Sequence, residues 1–506
     1  MIRKKIFLPV LVGSAFFLGA CGDDESAPIY PVITSSAEVL PPASSAVVPP
    51  PESSAAVPPP ASSAVVPPPE SSAAVPPPAS SAVEPPPASS ASAPNPVNYA
   101  ALATSANAAK GAEIYTLWKG YHFVAKETES TYYASLAGDF GDVFPAAYEP
   151  AGRVVWSTQT GYYKEACNVP DATVSTMKLR GCSVSEGIGY GMLLAYFNND
   201  IDTYNRLWNY TRAFRAYNNV KLMPWITKSF YWESVDNTSA TDADLDIATS
   251  LILMYYKMMA AGNAEAANAY KADALSFVKA LWEKEVNPST LLIYSGDDAR
   301  WKTANAAYNL SYFSPVAIRL FAAVDSEHNW QGVLDANYAY MKKVQDGGTG
   351  VFPDWSDANG KAIDPDNGSA KNTYWLFNKE SVRIPWRIAW DYYWYQEPRA
   401  GAILTTLNEF ISKKASGNPD DKALAVSYSW NLSVGKDNTS GTTGSNHWYG
   451  AWCATGIAGN ADWLNKCTTG LNTKAKPLSN GPSSYFIDIL TTMYSGLLNG
   501  LFVRPF

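Results

Sequence analysis

"DADLDIATSLILMYYKMMAA", residues 242–261, decides how this chain folds. Its apolar side chains Leu245, Ala248, Leu251, Ile252, Tyr255, Tyr256 and Met259 recur at the i, i+3, i+4, i+7 spacing of one buried helical stripe. The same period returns over residues 185–198, 202–217, 263–285, 314–324, 382–395, 399–414 and 484–498, while strand-like alternation is sparse. So many helices joined by loops predict an all-α domain of stacked helical hairpins, with long loops at one end able to carry a site.

Before that domain the composition changes. Residues 40–96 repeat "PPPESSAAV" and "PPPASSAVV" every nine residues, with proline triplets starting at Pro49, Pro58, Pro67, Pro76 and Pro85 and no aromatic side chain to bury. Proline triplets favour polyproline II, so residues 21–96 are expected to be a disordered, semi-rigid Pro/Ser/Ala-rich linker ahead of one domain over residues 97–506. The first residues, "MIRKKIFLPVLVGSAFFLGAC", place Arg3, Lys4 and Lys5 before an apolar run and small residues, the pattern of a signal peptide over residues 1–20. Its "LGAC" ending resembles a bacterial lipobox, which implies lipidation of Cys21 and an exported chain anchored to a membrane, at the outer membrane or cell surface. The other reading is an ordinary signal peptide with an incidental cysteine.

Four cysteines remain. Cys167 with Cys182 and Cys453 with Cys467 are neighbours in sequence, and an oxidising compartment would allow disulfides, although four cysteines admit three connectivities. The 506 residues carry a net charge of −8 with no basic block, which argues against a nucleic-acid partner. The 17 Trp, 31 Tyr and 18 Phe instead suit neutral sugar rings, whose C–H faces stack on aromatics. A monomer is expected.

With only three histidines, His122, His328 and His447, far apart in sequence, neither a metal nor a cofactor site is expected, and carboxylates become the natural acids and bases. "SATDADLDIA", residues 239–248, places Asp242, Asp244 and Asp246 at a helix mouth, more acid than a cap at Ser239 or Thr241 needs. In "VSEGIGYGMLLAY", residues 184–196, Glu186 precedes Gly187, Gly189 and Gly191. Each interior glycine costs a helix roughly 0.5–1 kcal/mol against alanine, so close approach of a ligand or of another backbone must offset them. The expectation is a bare floor over which a glycan runs. A third stretch, "NKESVRIPWRIAWDYYWY" at residues 378–395, mixes Glu380, Arg383 and Arg387 with aromatics.

Taken in order with "NLSYFSPVAIRLF" at residues 309–321 and "FPDW" at residues 352–355, these motifs resemble the family 8 glycoside hydrolases over nearly the whole of residues 97–506. The resemblance implies an (α/α)6 barrel and an inverting, mostly endo-acting enzyme on β-1,4-glucan, mixed-linkage glucan, xylan or chitosan. It also implies that Glu186 is the general acid and Asp242 the residue that organises the sugar at the cleavage point. Glucanase-type members place an aspartate base three residues before the motif arginine; here that position is Glu380, before Arg383, one methylene longer. Tyr190, Trp225, Trp232, Arg383, Trp386 and Tyr485 are the expected substrate-binding residues. "LMPWI" at residues 222–226 and "RIPWRIAWDYYW" at residues 383–394 look more like the glucanase-type members than the xylan-cutting ones, which implies β-1,4-glucan, cellulose or mixed-linkage, with an endo-β-1,4-xylanase of the same family as the alternative. An inactive glycan-binding lipoprotein on the same barrel is the rival from another class.

Overall fold

The computed structural model describes residues 98–128, 145–156, 167, 182–228, 234–365, 373–439, 446–474, 476–477 and 484–505. The signal segment, Cys21, the proline-rich repeats and Trp232 lie outside the described residues. Within them run twelve α-helices: α1 (Ala108–His122), α2 (Ser185–Phe197), α3 (Ile201–Tyr217), α4 (Thr241–Ala260), α5 (Ala264–Glu285), α6 (Pro315–Val324), α7 (Trp330–Asp346), α8 (Ile384–Tyr395), α9 (Pro398–Lys414), α10 (Asn446–Ala454), α11 (Ala461–Lys474) and α12 (Tyr485–Leu498).

Each even-numbered helix packs on the next, and α12 returns to α2, so six helices close an inner ring. Around them α3 packs on α2, α5 on α4, α7 on α6, α9 on α8, α11 on α10 and α1 on α12. The described residues therefore form an (α/α)6 barrel.

The two layers differ in side-chain pattern. A helix surrounded by others must be apolar or satisfied on every side, and α12 is buried along its whole length. In α4 every residue from Thr241 to Met254 is buried, whereas Tyr255 and Tyr256 are half-buried and Met259 is exposed, so the single stripe read from residues 242–261 is replaced by burial on every side of the helix up to Met254. Outer α5, by contrast, buries one face through Ala267, Ala274, Phe277, Val278 and Leu281. The helix signals at 185–198, 202–217, 263–285, 314–324, 382–395, 399–414 and 484–498 all mark real helices, while α1, α7, α10 and α11 had no such signal. In α11 the segment "ADWLNKCTTGLNTK" buries only Trp463, Leu464, Cys467, Thr468 and Leu471, so its stripe is interrupted by polar residues.

Helix starts separate the layers as well. Outer α1, α3, α5, α7 and α9 begin at Asn107, Asp200, Asn263, Asn329 and Glu397, each of whose side chains accepts a backbone N–H of the first turn. Inner α2, α4, α6, α8 and α12 have no side-chain cap. The cap considered at Ser239 or Thr241 is thus not made. These uncapped starts carry the polar residues described next.

Gly187, Gly189 and Gly191 are buried, which overturns their reading as an open glycan floor. A Cβ on Gly189 would lie 3.0 Å from the Ala243 carbonyl oxygen and 3.0 Å from Asp246 Cβ, and one on Gly191 would lie 2.9 Å from Leu207 Cδ1. A Cβ on Gly187 would meet the Tyr485 ring at 3.0 Å. The glycines let α2 approach α4, α3 and α12 at once; the Ala243 backbone at Gly189 and the Tyr485 and Leu207 side chains at Gly187 and Gly191, rather than a ligand, fill the space their missing side chains leave. The cysteines pair locally, Cys167 with Cys182 and Cys453 with Cys467, the second bond tying α10 to α11.

Candidate active site

Glu186, Asp242, Arg383 and Tyr485 stand at the N-terminal ends of α2, α4, α8 and α12, so the ring brings four distant segments to one end of the barrel. Short strands aim them. Beside the antiparallel pair of β1 (Phe123–Ala125) and β2 (Gly152–Val154), β3 (Ser183–Val184) pairs antiparallel with β4 (Ile226–Thr227), which in turn pairs with β5 (Ser234–Asp236), and β3 leads directly into the first turn of α2. β6 (Leu376–Phe377), paired with β7 (Tyr428–Ser429), delivers the 378–381 turn that holds Glu380.

Arg383 is the hub. Its Nη1 donates to Glu186 Oε2 and, at 3.2 Å, to Asp242 Oδ2, while its Nη2 donates to Glu380 Oε2. Burial opposes its charge, yet Glu380, Glu186 and Asp242 outweigh that and hold its pKa above the ordinary arginine value. Asn309, just before α6, donates Nδ2 to Glu380 Oε2 at 2.6 Å, and Tyr485 donates its hydroxyl to Glu186 Oε1 at 2.9 Å. One helical turn below, Arg387 forms a two-bond ion pair with Asp246 at 2.8 and 2.9 Å, fully buried.

Burial raises the Asp242 carboxyl to about 7 against the opposing pull of Arg383, and Glu186 pushes it in the same upward direction. Glu380 is likewise raised to about 7, first by burial and then by the charge of Asp354, with Arg383 and Asn309 acting against. Glu186 is the most open of the three, its side chain 14% exposed against 7% for Glu380 and 3% for Asp242. It is thus the carboxyl best placed to reach a bound chain.

The remaining expected substrate contacts need correction. Trp225 and Trp386 are buried, and Trp386 stacks on Trp390 with Tyr190 edge-on to it, so these side chains fill the core and offer no ring face to a sugar. Tyr190 is itself fully buried beside Arg387. Tyr485 is also buried and acts through its hydroxyl on Glu186 instead of as a stacking surface. Arg383 is 2% exposed and engaged by carboxylates, so it organises the site from below. Two residues inside quoted motifs had been given no role. Asn309 holds Glu380, and Asp354 of "FPDW" accepts four hydrogen bonds from the turn that carries Glu380. A lone acid in the apolar run "VFPDW" was the available signal for the second.

The model described as Glycosyl hydrolases family 8 matches residues 166–447, more than half of the chain and all of the site except Tyr485. The chain belongs to glycosyl hydrolase family 8. Among family relatives, Endoglucanase C of Ruminiclostridium cellulolyticum is 32% identical over 241 residues, 47% of this chain and 49% of its own length. The chain thus matches about half the length of that relative. A Beta-glucanase of Niallia circulans is 29% identical over 356 residues, covering 67% of this chain and 83% of its own. The fold is shared with the apo beta-1,3-1,4-glucanase from Paenibacillus sp. X4, at a TM-score of 0.59 and 22% identity over 80% of this chain and 95% of that one.

Proposed function

We propose that this chain is an inverting, endo-acting hydrolase of β-1,4-linked glucan, cellulose or mixed-linkage. The observation that carries the reading is the placement of Glu186 and Glu380 on opposite arms of the Arg383 guanidinium, with Asp242 on the same Nη1 as Glu186. Glu186 gives its proton to the glycosidic oxygen as the C–O bond breaks. Glu380 takes a proton from the water that attacks the anomeric carbon from the opposite face, and no covalent intermediate forms. Asp242 holds the sugar at the cleavage point and favours its distorted ring. The family relatives named Endoglucanase C and Beta-glucanase support glucan ahead of xylan.

The test is release of reducing sugar from barley β-glucan, carboxymethylcellulose, xylan and chitosan by the purified protein and by its Glu186→Gln variant. Wild-type activity greatest on a glucan and lost in the variant supports the proposal. Equal background from both proteins would instead support the inactive glycan-binding reading.

The "LGAC" ending at Cys21 and the proline repeats support a further part of the proposal, a lipid-anchored enzyme held off a membrane by its spacer. Detergent-phase partition of the mature protein, lost on Cys21→Ser, is the expected outcome; aqueous partition of both contradicts it.

A further inference from the structure

We infer that Asp354 is the positioning residue for the water-activating Glu380, an inference that rests on the assignment of Glu380 as base. Asp354 lies between α7 and β6 and is buried. Its Oδ1 accepts the backbone N–H groups of Asn378 at 3.1 Å, Glu380 at 3.1 Å and Ser381 at 2.9 Å, and the Ser381 hydroxyl at 2.8 Å. Three backbone donors converging on one oxygen form an anion-binding concavity, and this carboxylate lets the 378–381 turn keep that shape.

Both ends of the clamp are rigid. Phe352 is fully buried on one side of Asp354, and on the other Trp355 stacks on Trp301 with ring centroids 5.4 Å apart and donates its backbone N–H to the Tyr374 carbonyl at 3.3 Å. The turn leads straight into Ser381–Arg383 and α8, so the backbone of Glu380 and the side chain of Arg383 are fixed together. Asn309 then holds the far end of the Glu380 side chain. Asp354 reaches Glu380 through backbone hydrogen bonds and through its charge. Such a clamp matters because a displacement of about 1 Å at a reacting group costs on the order of 100-fold in rate.

Charge supplies a readout that packing alone does not. The groups facing the Glu380 carboxyl are Arg383 and Asn309, which favour its ionised form, and Asp354 and Glu186, which oppose it. Removing the Asp354 charge therefore lets Glu380 stay ionised at lower pH.

The experiment measures kcat, KM and the pH profile of kcat/KM on β-glucan for wild type, Asp354→Asn, Asp354→Ala and Glu380→Gln, with thermal unfolding of each. Asp354→Asn keeps an acceptor oxygen; it should move the acidic limb of the profile to lower pH, with KM within about twofold of wild type. Asp354→Ala should lose about 100-fold in kcat with KM similarly unchanged. If Asp354→Ala fails to fold, the Asp354→Asn limb decides alone. An Asp354→Asn limb and kcat that coincide with wild type, beside an inactive Glu380→Gln, overturn this inference and leave the base assignment standing. Full activity in Glu380→Gln overturns both.

Discussion

Glu186 and Glu380 are held on the two arms of a single guanidinium: Arg383 donates through Nη1 to the first and through Nη2 to the second. A planar fork can do this; a lysine ammonium, a point charge on a flexible stem, cannot hold both carboxylates in one plane. Arg383→Lys should therefore lower kcat/KM on β-glucan by on the order of 100-fold. Arg383→Ala leaves the buried Asp242 and Glu380, and the half-buried Glu186, without their shared cation and should cost about 3–5 kcal/mol in denaturant unfolding.

Tyr485 contributes one hydrogen bond to Glu186 and no ring face to the sugar. Tyr485→Phe keeps the ring that packs against Gly187 and removes only that donor. A hydrogen bond to a charged group is worth about 1.5–3 kcal/mol, so kcat should fall roughly 10- to 100-fold. Steady-state kinetics should show KM little changed; a rise in KM at constant kcat would restore Tyr485 as a substrate contact.

Gly189 is where α2 meets the backbone of α4. Gly189→Val forces side-chain atoms against the Ala243 carbonyl, and overpacking of this kind costs about 1–3 kcal/mol. Denaturant midpoints should fall, while kcat of the folded protein stays within about threefold of wild type. Unchanged stability with lost activity would mean that the glycines face a ligand after all.

Glu285, at the end of α5, is buried beside Ser239, Thr241, Asp242 and Asp297, and burial raises its carboxyl to about 8. Glu285 in turn helps raise the equally buried Asp244. An acid whose folded pKa lies above its unfolded value contributes stability that is complete below about 4.5 and is lost as pH climbs through about 8. Thermal unfolding should therefore show Glu285→Gln gaining on wild type as pH rises from 5 to 8. A constant difference across that range would contradict it.

The barrel was legible because inner helices such as α4 and α12 are long and apolar, and half of the outer helices, α3, α5 and α9, carry a clear period. The four helices without such a signal, α1, α7, α10 and α11, pack through stripes broken by glycine, asparagine or threonine. Glu186, Asp242, Glu380 and Arg383 could be picked out from family motifs, and the fold brings them into contact. The aromatics misled: Trp225 and Trp386 fill the core, since residue type alone does not separate a ring stacked on a neighbour from one open to sugar. The glycines misled for a related reason, because a missing side chain serves a ligand and a neighbouring helix equally well. Asp354 acts on residues more than twenty positions away, a contact that only the folded chain reveals.

The most direct test of the proposed two-carboxylate mechanism is proton NMR of the anomeric signals in the first minutes of β-glucan hydrolysis. Attack by a water that Glu380 activates, opposite the bond that Glu186 protonates, predicts the α-anomer first, with the β-anomer following only by mutarotation. The β-anomer appearing first would contradict the account.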